Sequence, residues 1–323
     1  MAHHFEVSTV DDLMHVAVDT LRSEGIHINP TKGGCTEIAA ATFELTNPRA
    51  RVSRSASRGR IFSALGELCW YLSGSNRTDD IAYYAKYYRK FDEDGMIFGG
   101  YGPRLVSFDG VNQIETVIQA LRRAPASRRA VIQLFDHRDI TERHADVPCT
   151  CTLQYLLRDG RLSAITYMRS NDVFLGLPHD LFCFTMLQEL IACSVEAELG
   201  SYHHMAGSLH MYDENAEALD VFVAEGWHAT TRAMPAMPPG DPWEGVAHLL
   251  DVERQLRTGT PPTDVEFGPE PYWADLGRLL GVYTATRKGP HEAIERIRTA
   301  MDSDYYNSYI TDRIDNLDYT RQT

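Results

Sequence analysis

A cysteine directly after a proline opens the run Pro148-Cys149-Thr150-Cys151-Thr152-Leu153-Gln154. A cysteine attacks only as the thiolate, so Cys149 needs cationic neighbours, and without them it reads as an ordinary buried core thiol. Arg169-Ser170 offers a guanidinium and a hydroxyl, both donors to anionic oxygens. The pair is a phosphate grip, or else a surface arginine beside a solvated serine. Arg128-Arg129 is a second cationic pair ahead of a strand. The turn Leu175-Gly176-Leu177-Pro178 delivers the carboxyl of Asp180 to the same region, where the plainest alternative role is to cap the helix that follows. Glu67 stands in the apolar helical stretch Gly66-Glu67-Leu68-Cys69-Trp70-Tyr71-Leu72. A carboxylate there is costly unless it has a task or faces solvent. His210 and Tyr212 alternate along a strand and share a face.

These residues need elements to hold them. The apolar periodicity predicts helices over 8–24, 58–73, 79–88 and 180–198. Strands are predicted over 129–135, 151–158, 161–168 and 201–212. The Asp159-Gly160 pair between two apolar runs predicts a tight hairpin. Helices, strands, helix and strand in that order indicate an α+β fold on a mixed sheet. No repeat or low-complexity segment interrupts the chain. The Pro/Gly-rich stretch 233–242 is followed by helical periods at 243–256, 273–287 and 289–301. The whole of 1–323 is therefore expected to form a single domain, with a core over about 8–230 and a helical appendage over about 240–323.

The 323 residues, 43% hydrophobic and 24% charged, have an ordinary globular composition. No apolar run approaches a membrane span and no leader pattern opens the chain, so a cytoplasmic location without membrane contact is expected. The formal charge of −14 argues against a protein that coats nucleic acid. An anionic substrate would depend on local arginines. Six cysteines in a chain of this length do not suggest a disulfide framework, and Cys149-Thr-Cys151 has no second Cys/His pair at zinc spacing.

Taken together, the cysteine run, Arg169-Ser170 and the Leu-Gly-Leu-Pro turn resemble the thymidylate synthase/deoxycytidylate hydroxymethylase family. Cys149 lies ten residues before Asp159 of the hairpin turn, which is the spacing of the family's nucleophile. The resemblance covers about 25–230 and implies a large mixed β-sheet flanked by helices, here with a C-terminal helical extension. It implies Cys149 as nucleophile, Glu67 as the proton-transfer group that also meets the folate, and Tyr101 as the active-site tyrosine. Arg169 and Ser170 would bind the nucleotide phosphate, joined by Arg128 and Arg129 from the neighbouring subunit of a homodimer. His210 and Tyr212 would hold the ribose, Gln154 would belong to the base network, and Lys32 would replace the arginine of the mobile phosphate loop. Asp172 and Gly176 would meet 5,10-methylenetetrahydrofolate, the one-carbon donor, and no metal is implied.

Several positions depart from the synthases. Asp180 stands where they carry Asn, Thr150 where they carry His, Ser208 where they carry Asp and His179 where they carry Phe. The segment 83–91 is rich in tyrosine and lacks their tryptophans, and the tail 318–323 does not match theirs. A carboxamide matches the N3–H and O4 of uracil. A protonated carboxyl matches the N3 and 4-amino group of cytosine. The expected reaction is therefore hydroxymethylation of dCMP, with CMP hydroxymethylation and thymidylate synthesis from dUMP as alternatives. A binding module without activity is a further alternative, against which Cys149, Arg169 and Glu67 weigh.

Overall fold

The hairpin predicted from Asp159-Gly160 forms as expected. Both residues adopt positive φ, 48° and 73°, which matches the right-handed twist of the flanking strands. The computed structural model describes residues 3–30, 32–57, 59–227, 232–288 and 291–322. Its strands are β1 (His3–Val7), β2 (Ile26–Ile28), β3 (Cys35–Leu45), β4 (Asp92–Glu93), β5 (Met96–Ile97), β6 (Val131–Gln133), β7 (Thr150–Arg158), β8 (Arg161–Met168), β9 (Asn171–Asp172) and β10 (Glu198–Tyr212). The α-helices are α1 (Val10–Glu24), α2 (Ile61–Leu72), α3 (Thr78–Ala82), α4 (Tyr101–Val106), α5 (Gln113–Arg123), α6 (Gly176–Ser194), α7 (Ala216–Glu225), α8 (Trp243–Thr258), α9 (Pro271–Lys288), α10 (His291–Thr299) and α11 (Asn307–Gln322).

Eight strands form one mixed sheet in the order β1-β3-β10-β8-β7-β6, with β2 on β3 and β9 on β10. β10 runs antiparallel to β3 and parallel to β8. One face of the sheet is the core side: Leu153, Tyr155, Ala164, Thr166, Tyr202 and His204 are buried on the side that α6 covers, and α2 packs on α6. The other face is left open, with Val131 40%, Tyr167 43% and Met205 39% exposed. The C-terminal helices α8 and α9 pack on α2, and the buried cluster runs from Val7 to Ile310. Glu189 of α6 joins the stretch after α7 to this core. It pairs with Arg49 at 2.6 Å and Arg51 at 2.5 Å, and accepts the Met237 amide. Among the described residues no helix is long and apolar enough to cross a membrane.

The structure moves several expected boundaries. The helix expected at 180–198 is α6, beginning at Gly176, because Pro178 fits within a first helical turn, where no amide partner is needed. Asp180 thus lies inside the helix and does not cap it. The helix expected over 79–88 breaks after Ala82 and resumes as a 3₁₀ turn at Lys86–Phe91. The break turns Tyr84 inward against Gly66 and lets its hydroxyl reach Glu253 at 3.1 Å. The strand expected over 129–135 shortens to β6. β3, α5 and α11 have no counterpart in the sequence reading. β3, the eleven-residue strand against β10, reads Cys-Thr-Glu-Ile-Ala-Ala-Ala-Thr-Phe-Glu-Leu, whose alanines and glutamates do not favour a strand. Residues 289 and 290, at the head of the helix expected over 289–301, and Thr323 of the unmatched tail lie outside the described residues.

Candidate active site

Cys149 sits at the mouth of β7, and the ladder explains its setting. The β7–β8 register slips between Thr150 and Thr152, leaving Cys151 as an extra residue. Beyond this bulge Thr150 turns fully inward, and the Arg169 amide bonds the Cys149 carbonyl at 2.8 Å. The Arg169 side chain clasps the same segment. Its Nε donates to the Pro148 carbonyl at 2.9 Å and Nη2 to the Val147 carbonyl at 3.0 Å, with the Cys149 sulfur 3.7 Å from Nη2. Burial nevertheless pushes the Cys149 thiol up to about 11, with Arg169 opposing the shift. Asp146, which Lys32 approaches at 3.4 Å, also raises it. Burial thus favours the neutral thiol of Cys149. Ser170 is half-buried beside Arg169.

Tyr101, at the start of α4, accepts the Thr150 amide at 3.0 Å and the Thr150 hydroxyl at 3.0 Å. Thr150, which stands where the synthases carry His, is thus occupied with Tyr101.

Glu67 is 3% exposed on α2. Its Oε1 accepts from Tyr71 at 2.7 Å and from Tyr88 at 2.5 Å. Its Oε2 is buried with no hydrogen-bond partner among the described residues. A buried carboxylate oxygen left without a donor is costly, and a bound water or ligand proton would relieve that cost. Tyr88 stacks on Tyr87 at 4.5 Å and meets Trp70 edge-on at 5.4 Å. Tyrosines thus wall this side of the site, in the segment the sequence marked as lacking tryptophan.

Asp180 is 7% exposed, and Asn171 donates Nδ2 to its Oδ2 at 2.8 Å. Burial first, then the nearby Glu67 charge, raise its carboxyl well above the usual range, and the Asn171 bond opposes them. The carboxyl is thereby favoured in its protonated form, as a donor. Gly176 provides the space: a Cβ there would lie 3.2 Å from Asn171 Nδ2 and 3.4 Å from Asp180 Oδ2. Asp172 accepts the Phe174 and Leu175 amides, each at 3.0 Å, and so shapes the turn into α6. β9 pairs with β10 at His210, which burial shifts to lower basicity against the pull of Asp172. The Tyr212 ring meets His210 edge-on at 4.9 Å, and burial pushes its hydroxyl up to about 12.

Cys149, Arg169, Lys32, Asp180, Glu67, Tyr101, Asp172, His210 and Tyr212 therefore lie in one locale, near enough to shift one another's ionisation. Three expected residues stand apart. Gln154 pairs with Val131 and Ile165 on the open face of the sheet and donates to the Arg128 carbonyl at 3.0 Å, which turns it away from the core face. Arg128 and Arg129 are exposed, and their guanidinium groups make no ion pair among the described residues. The sequence reading passed over Tyr71, one helical turn after Glu67, and the Asn171 and His204 that support Asp180. Only the spacing of Tyr71 was a usable signal. Among the described residues no group of three or more His, Cys, Asp or Glu has the geometry of a metal site.

The profile described as thymidylate synthase matches residues 43–237, well over half of the chain. The chain is also 32% identical over 133 residues to the thymidylate synthase of Staphylococcus haemolyticus (strain JCSC1435). That match spans 41% of this chain and 42% of the relative, less than half of its length. With the mixed sheet and the Cys149 locale already in place, the profile match over 43–237 places the chain in the thymidylate synthase family.

Proposed function

We propose that this protein is a one-carbon transferase that hydroxymethylates dCMP at C5. The observation that carries the reading is Asp180, a buried carboxyl raised well above its usual range where a base-reading carboxamide is expected. A protonated carboxyl donates to N3 of cytosine and accepts from its 4-amino group. In this reading Arg169, Ser170 and Lys32 hold the phosphate, and His210 and Tyr212 hold the sugar.

The folate, when bound, supplies a one-carbon unit that is transferred without being oxidised. Cys149 adds its sulfur to C6 of the base, which makes C5 nucleophilic toward that unit. After transfer, C5 loses its proton and an exocyclic methylene remains. Glu67, through its unpartnered Oε2, holds a water and accepts its proton as the oxygen adds to the methylene. Electrons then return to the ring and Cys149 leaves. The products balance as 5-hydroxymethyl-dCMP and tetrahydrofolate from dCMP, methylenetetrahydrofolate and one water. The unpartnered oxygen and the tyrosine wall fit a site that admits this water and an aromatic co-substrate.

The exposed arginine pair and the open sheet face support a homodimer in which Arg128 and Arg129 reach the partner's phosphate. The name of the bacterial relative favours a second reading, thymidylate synthesis from dUMP. Incubating the protein with methylenetetrahydrofolate and dCMP, CMP or dUMP, with products read by mass, separates the two. Hydroxymethyl-dCMP containing oxygen from ¹⁸O-water is expected. A methylated product formed in step with dihydrofolate would return the protein to the synthases, and preference for CMP would assign it to ribonucleotides.

A further inference from the structure

A protonated carboxyl alone does not tell cytosine from uracil. With the proton on one oxygen it matches N3 and the 4-amino group; with the proton on the other it matches O4 and N3–H. Asp180 needs something to fix which oxygen carries the proton. Asn171 donates to Oδ2 at 2.8 Å, and no other hydrogen bond to this carboxyl forms among the described residues. An oxygen that accepts this bond is the poorer site for the proton, which is directed to Oδ1.

The asymmetry survives only if the Asn171 amide cannot rotate. Its Oδ1 lies 2.9 Å from Nε2 of His204, whose Nδ1 lies 3.2 Å from the Tyr202 hydroxyl, itself 2.9 Å from Thr166 Oγ1. His204 is fully buried between β3 and β8 on the core face. Burial drops its basicity to about 3, so the ring is neutral and carries one N–H. Placed on Nε2, that proton holds the Asn171 oxygen and turns the Asn171 NH₂ toward Asp180. A rotated amide would present its oxygen to Asp180 and draw the proton onto Oδ2, reversing the pattern offered to the base.

We propose that Asn171, locked by His204, is the positioning residue that breaks the symmetry of the Asp180 carboxyl and thereby sets which pyrimidine this site accepts. The choice of cytosine rests on the reading of Asp180 given above; the symmetry breaking does not. It is tested by equilibrium binding of dCMP and dUMP to the wild type, Asn171→Leu, His204→Phe and His204→Gln. A Gln amide nitrogen can stand where Nε2 stood and keep the donor. The ratio of the two affinities is internal to each preparation, so a partly folded sample does not distort it.

In Asn171→Leu and His204→Phe the dCMP:dUMP ratio is expected to move toward equality by about tenfold or more, the scale of one mismatched buried hydrogen bond. In His204→Gln it should stay within about threefold of the wild type. If His204→Phe does not fold, Asn171→Leu carries the test with His204→Gln as its control. A wild-type ratio retained in Asn171→Leu overturns the proposal. So does a ratio lost equally in His204→Gln and His204→Phe. Wild type that prefers dUMP, with the preference erased in Asn171→Leu, supports the positioning role while overturning the cytosine reading.

Discussion

In the proposed reading Asp180, a single buried group, joins specificity to stability. Its carboxyl is raised chiefly by burial, so folding at neutral pH must either take up a proton or bury a charge. A carboxylate raised in the folded state contributes its full stability below the unfolded value, near 4, and loses it as pH rises toward the folded value. Asp180→Asn removes that loss and still accepts from Asn171. The variant is expected to be more stable than the wild type at pH 7–8 by about 1–3 kcal/mol, with the gap closing toward pH 4. Denaturant unfolding at the two pH values checks this, and a gap independent of pH would sink it. The same change should move base preference from dCMP toward dUMP, a site kept costly for selectivity. At this scale the residue types of Cys149, Glu67, Asp180 and Arg169 were legible in the sequence, and their roles followed from the family resemblance. Asn171 and His204 were not, because the contact that links them joins residues 33 positions apart.

At the scale of elements, α2 is the part on which the site depends most. It carries Glu67 and packs against α6 on one side and α8 and α9 on the other. Gly66 is the tight point: a Cβ there would lie 2.2 Å from the Tyr84 ring. Gly66→Ala is expected to cost about 1–3 kcal/mol of stability through overpacking, and to lower turnover because Glu67 is the next residue. Thermal unfolding beside the substrate assay measures both, and a neutral outcome in both would mean that the turn carrying Tyr84 yields freely. The sequence exposed α2 through its apolar run, and β8 through period-two alternation and a strong turn. It hid the break after Ala82, since nothing in a run of tyrosines says that one of them must reach Glu253 across 169 positions.

At the scale of the whole molecule, the open sheet face and the separation of Arg128 and Arg129 from the Cys149 locale belong together. Half-buried or exposed Val131, Gln154, Ile165, Tyr167 and Met205 form a continuous unpaired surface of the kind that marks an association site. If a second copy covers it, each active site draws residues from two chains. Arg129→Ala and Cys149→Ser should then each be inactive alone. Mixed under conditions that exchange subunits, they should recover up to about a quarter of wild-type activity, since half of the molecules are hybrids with one intact site of two. Demonstrated exchange without recovery would place the whole site within one chain.

The sequence by itself displayed the groups on offer, the thiol of Cys149, the guanidinium of Arg169 and the carboxyls of Glu67 and Asp180, along with the hairpin and the principal helices that carry them. These are local facts, written in residue type, period and turn chemistry. The tertiary structure alone decided how each group is poised. The bulge at Cys151 turns Thr150 onto Tyr101, and burial keeps Cys149 a thiol despite Arg169. Two phenols bond one oxygen of Glu67 and leave the other unpartnered among the described residues, and a chain of contacts runs from Thr166 through Tyr202, His204 and Asn171 to Asp180. Desolvation and hydrogen-bond polarity depend on neighbours that only packing brings together, so no spacing along the chain could have announced them.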